Sequence, residues 1–197
     1  MARGKNKEQI LVAGLNLIYS KGFNASGVKE ITAESGVPKG SFYNYFTSKE
    51  DFVIQAIERY TEDTSAVLQK ILIEGEGSHL TRLRSLFDTW SNPEFCEKNG
   101  YSCLTGNLSQ EMANLNPNVR EAIEKSFNQL QAYYTTCLEQ AQKAGEIDSQ
   151  SDPQQLAYFI YNAWQGSLVR AKAEGNIKPL TVFKDVVFNS LLFSRNS

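Results

Sequence analysis

The chain has 197 residues, 41% hydrophobic and 21% charged, enough for one sizeable core or two small ones. No apolar run approaches the ~18 residues of a membrane span, and three cysteines with a single histidine give neither a secreted disulfide framework nor zinc-ligand spacing. The formal charge of -2 is unevenly placed: residues 1–50 carry seven Lys/Arg against four Glu, and the remainder 13 against 18, so a basic head on an acidic body suits a polyanion at one end.

Almost every segment reads as helix. Ile10, Leu11, Gly14, Leu17 and Ile18 lie on one face of a helix over about 5–20, stopped by Gly22. A short helix over 27–35 is followed by the turn Ser35-Gly36-Val37-Pro38, in which Gly36 is free to take φ > 0 and Pro38 suits the first turn of a third helix over 38–45. Ser48 caps a long helix whose apolar stripe runs from Val53 to Ile71 and ends before Gly75-Glu76-Gly77. Helices follow over 79–91, from near Ser102, over 117–144, over 152–174 behind Asp152-Pro153, and over 180–193. The basic residues before Ile10 are followed by no continuous apolar segment, so a cytoplasmic protein is expected.

Three short helices with a tight turn between the second and third match a helix-turn-helix. With Phe42 facing inward, Pro38 and Phe46 share its side, while Gly40, Tyr43 and Asn44 point outward, flanked by Lys39 and Ser41. Such a face fits a DNA groove: a glycine for close approach, a cation, an amide and hydroxyls for phosphates and base edges. Lys49, at the start of the fourth helix, is placed to hold a phosphate.

The run Ile31-Thr32-Ala33-Glu34-Ser35-Gly36-Val37-Pro38-Lys39-Gly40-Ser41-Phe42-Tyr43-Asn44-Tyr45-Phe46-Thr47-Ser48-Lys49-Glu50 closely resembles the signature of the tetracycline-repressor (TetR) family. The resemblance covers about residues 7–55. It implies an all-α, Ω-like homodimer of about nine helices per subunit: a helix-turn-helix DNA-binding domain over 1–50 and a larger helical-bundle domain over 51–197 for effector binding and dimerisation. It implies release from a palindromic operator of double-stranded DNA by a small-molecule effector; no cofactor, no metal and no membrane partner is expected. It places Lys39, Gly40, Tyr43 and Asn44 in the groove and Tyr45 and Lys49 on phosphate, with Ser41 beside them and Ser26 and Lys29 at the start of the second helix. In the body, Tyr101-Ser102-Cys103-Leu104-Thr105-Gly106-Asn107-Leu108 resembles the Gly-Cys-Leu…Gly-Asn-Leu segment of a subgroup that regulates reductase, detoxification and acrylate-type metabolism genes. Ser102 replaces the usual glycine. Some members of that subgroup answer electrophiles or oxidants through cysteine.

Aromatic and polar residues of the body suggest an effector pocket from Phe87, Trp90, Cys103, Asn107, Phe127, Tyr134, Tyr161, Trp164 and Gln165. Cys103, at a predicted helix start where backbone N–H groups favour thiolate, and next Cys96 are the candidate redox sensors. Phe159, Ala163, Gly166, Ser167, Val182, Val186, Val187 and Leu191 supply a candidate dimer face on the last two helices. Two alternatives remain: a repressor that senses through thiols alone, and a cysteine-dependent helical enzyme. The enzyme lacks an evident base, phosphate loop or nucleophile elbow.

Overall fold

The computed structural model describes residues 2–192, so residue 193, where the last predicted helix ends, lies outside it. Ten α-helices carry the described residues: α1 Ala2–Lys21, α2 Val28–Glu34, α3 Lys39–Phe42, α4 Lys49–Leu68, α5 His79–Trp90, α6 Pro93–Asn99, α7 Leu104–Met112, α8 Pro117–Lys143, α9 Pro153–Glu174 and α10 Lys178–Val186. Five-residue π-helical turns extend α4 over Gln69–Ile73 and α10 over Val187–Leu191. Among the described residues there is no strand and no helix long and apolar enough to cross a membrane.

The chain divides into two compact units, residues 1–62 with 104–127, and residues 63–103 with 128–197. The first unit holds more than the basic head because α7 and the start of α8 supply part of its core. Leu104, Leu108, Met112, Val119 and Ile123 pack in one cluster with Ile10, Ile18, Phe23, Ile31, Phe42, Phe46 and Phe52. The rings of Phe42, Phe46 and Phe52 form its centre, with centroids 5.0, 5.1 and 5.6 Å apart. Each fully buried phenylalanine stabilises the fold by about 1.5–3 kcal/mol. Between α2 and α3, Gly36 takes φ 66° and the Val37 N–H donates to the Thr32 carbonyl at 3.1 Å, closing the turn. Ser48 Oγ accepts from the Asp51 N–H at 3.0 Å and caps α4.

The second unit packs around Phe87 of α5. Its ring lies 4.9 Å from those of Trp164 and Phe183, 6.0 Å from Tyr134 and 6.3 Å from Phe188. Arg82 ties the end of the α4 extension to α5, donating from Nη1 to the Ile73 carbonyl and from Nε to the Gly77 carbonyl, both at 3.1 Å.

Candidate DNA-binding surface and effector site

In the first unit, α3 is a single turn whose inner residue, Phe42, is buried while Lys39, Gly40, Tyr43 and Asn44 are exposed. Tyr43 is 58% exposed although it is a large aromatic side chain, and its ring stands edge-on to Phe42 with centroids 5.3 Å apart. Nothing lies within 4 Å of a Cβ built on Gly40, so another backbone can come close there. Ser41 and Tyr45 are half-buried at the flanks, and Lys29 is exposed on α2. These seven positions lie at the surface beside the buried rings of Phe42 and Phe46.

Two residues expected at the DNA behave differently. Ser26 is fully buried, and its hydroxyl donates to the Gly22 carbonyl at 2.7 Å, so it fixes the α1–α2 loop from within. The Lys49 ammonium donates to the Phe23 carbonyl at 2.6 Å and lies 4.0 Å from the centroid of the Phe23 ring. Burial pulls this ammonium below its ordinary pKa of 10.5, against the opposing charges of Glu50 and Glu111. Lys49 therefore holds the protein's own α1–α2 loop.

In the second unit, Phe87, Cys103, Tyr134, Tyr161 and Trp164 are buried, and Trp90 and Gln165 are half-buried. The Trp90 and Trp164 rings stack at 6.3 Å, and Tyr134 and Tyr161 lie 5.3 Å apart. Tyr134 is fully buried, and its hydroxyl has no hydrogen-bond partner among the described residues. Burial, then the neighbouring Cys103 and Cys137, push that phenol well above its ordinary value. Burial likewise raises Tyr161, opposed by a hydrogen bond with Gln165. Asn107 and Phe127, expected in the same pocket, belong to the first unit instead, where Phe127 packs against the apolar cluster.

All three cysteines are buried thiols. Cys103 directly precedes α7, as expected. Burial pushes the Cys96 thiol up, against the thiolate that sensing needs, and Cys137 up to about 12. Cys96 Sγ also donates to the Trp90 carbonyl at 3.4 Å. On α9 and α10, Phe159, Val182, Val186 and Leu191 are exposed large apolar side chains, and Gly166 faces open space. Ala163 and Ser167 are half-buried, the serine hydroxyl donating to the Ala163 carbonyl at 2.8 Å. Val187 departs from the expectation: it is 1% exposed and belongs to the subunit's own core. Tyr158 and Val169 extend the exposed apolar face and were not anticipated; their spacing on α9 was the available signal.

A one-turn polar helix displayed over a buried aromatic triad, followed by a helical body, defines a helix-turn-helix DNA-binding regulator of the all-helical class. The chain matches the family "Bacterial regulatory proteins, tetR family" over residues 10–56 and "Tetracyclin repressor-like, C-terminal domain" over residues 79–187, and it belongs to the TetR family. It is 33% identical over 192 residues to the HTH-type transcriptional repressor DhaR of Mycobacterium sp. strain GP1, covering 98% of this chain and 95% of that one. It is 32% identical over 175 residues to the HTH-type transcriptional repressor NemR of Escherichia coli K12, covering 88% and 87%. The crystal structure of reduced E. coli NemR superposes with a TM-score of 0.83, covering 93% of this chain and 96% of that one at 29% identity.

Proposed function

We propose that the protein is a homodimeric transcriptional repressor whose residues 1–50 hold a palindromic operator and whose residues 51–197 release it when a small molecule or electrophile binds. The exposed polar face of α3 and the turn after it carries the DNA half of this reading. Lys39, Gly40, Tyr43 and Asn44 stand outward over a sealed apolar floor, which a merely packed three-helix subdomain does not require. The effector half is supported by the aromatic nest around Phe87 and by the orphaned Tyr134 hydroxyl beside Cys103, since a buried hydroxyl without a partner favours a ligand that brings an acceptor. The Cys103-Leu104-Thr105-Gly106-Asn107-Leu108 segment supports the cysteine-bearing subgroup, and the relatives named as repressors support repression over activation. Release is a shift between two shapes of the body, driven by the effector's differential affinity for them.

The test is a gel shift on operator fragments selected from random duplexes by the wild-type protein. Lys39→Ala with Tyr43→Ala should lose the shift, and binding unchanged by that pair contradicts the assigned surface. N-ethylmaleimide should release the wild-type complex and not that of Cys103→Ser. Release of both assigns sensing to a group other than this thiol.

A further inference from the structure

The loop between α1 and α2, which sets the start of α2, is gripped from two sides by side chains outside the helix-turn-helix. From α4, Lys49 holds the Phe23 carbonyl. From the last turn of α7, Glu111 Oε2 accepts from the Asn24 N–H at 3.1 Å. The other oxygen, Oε1, stands over Gly22, where a Cβ would lie 2.6 Å from it. Gly22 takes φ 86°, so glycine there serves both the turn and the approach of the carboxylate. The loop is also fixed from within, by Ser26 on the Gly22 carbonyl and by Phe23 buried in the cluster that holds Phe42. Glu111 thus sits at one end of α7, and the chain enters the other end directly from Cys103.

We infer that Glu111 is a positioning residue for operator binding: through the Asn24 N–H it ties the α1–α2 loop, and with it α2 and α3, to the register of α7. This rests on the DNA-binding reading above and adds a residue that touches no DNA. The inference has a sign that electrostatics alone does not give. Removing a negative charge from a DNA-binding unit strengthens attraction to phosphate. Loss of a positioning contact weakens specific binding and leaves non-specific binding, which needs no register, unchanged.

Binding of wild type, Glu111→Ala, Glu111→Gln and Glu111→Asp to the selected operator and to a scrambled duplex is measured by fluorescence anisotropy, well below each variant's melting temperature. Glu111→Ala is expected to bind the operator about tenfold more weakly, the equivalent of one charge-assisted hydrogen bond, with scrambled-duplex affinity equal to or above that of wild type. Glu111→Gln, which keeps the reach and an acceptor, is expected to bind more tightly than Glu111→Asp, which keeps the charge and loses the reach. This order keeps the test alive if the alanine variant does not fold. Operator affinity equal to or above wild type in Glu111→Ala, an equal loss on both duplexes, or aspartate outperforming glutamine overturns the inference. A wild-type protein that selects no operator sinks the DNA reading itself.

Discussion

At the residue scale, Gly14 separates two opposing effects. It lies on the buried face of α1, and a Cβ built there would run into the Phe52 ring. Alanine in a helix interior is ordinarily favoured over glycine by about 1 kcal/mol. Phe52, however, is fully buried against Phe42 and Phe46, and overpacking such a core costs about 1–3 kcal/mol. Packing wins on these magnitudes, so Gly14→Ala should lower the midpoint of urea unfolding; a raised midpoint would show that the ring yields freely. Single residues were also where the sequence was least informative. Ser26 and Lys49 carry the right chemistry for phosphate, and only the fold reveals that each is engaged by a loop carbonyl. Val187 shares a stripe with Val186, yet one is buried and the other exposed, because adjacent helical positions lie about 100° apart.

At the scale of elements, most helices were legible, because their stripes, caps and stops agree. Asp152 caps α9 by accepting from the N–H groups of Gln154 and Gln155, and Gly175 ends it at φ 65°. The missed helix, α6, carries the same device: Asn92 accepts from the Glu94 and Phe95 N–H groups, with Pro93 in the first turn. That Asn-Pro signal was readable but introduces only seven residues, too few for a stripe. Helix α3 is four residues where eight were expected, since Tyr43 to Tyr45 form a turn, and the π-helical extensions leave no mark in apolar periodicity. One long-range cap was invisible in sequence. The Glu146 carboxylate, before α9, accepts from the His79 and Leu80 N–H groups at the start of α5, at 3.0 and 2.8 Å. Burial alone would raise its pKa, but the N–H groups of Leu80 and His79, the Ser78 hydroxyl and the His79 charge outweigh it and hold the carboxyl below its ordinary 4.5. The folded chain therefore binds this proton more weakly than the unfolded one. The stabilisation is complete above about pH 4.5 and is lost as pH falls through the lower folded-state value. Wild type should be more stable than Glu146→Gln near pH 7, with the gap closing on acidification. A gap independent of pH, followed by thermal unfolding, would count against the cap.

At the scale of the molecule, both units were partly legible, for different reasons. The outward face proposed for DNA could be read because buried Phe42 and Phe46 dictate which side of a short helix faces out. The candidate effector site could be read only as a set of aromatics. Helical spacing says that Phe87, Tyr134 and Trp164 face inward, but not that Asn107 and Phe127 pack in a different unit. In the proposed homodimer the exposed apolar residues of α9 and α10 would face the second copy, and two copies on a palindrome would place their α3 helices about 34–36 Å apart. Hydroxyl-radical footprinting of the selected operator tests this most directly. Two equivalent protected patches are expected on one face of the duplex, one helical turn or a multiple apart, both lost when Lys39 and Tyr43 are changed to alanine. A single patch, or protection that survives those substitutions, would contradict this reading.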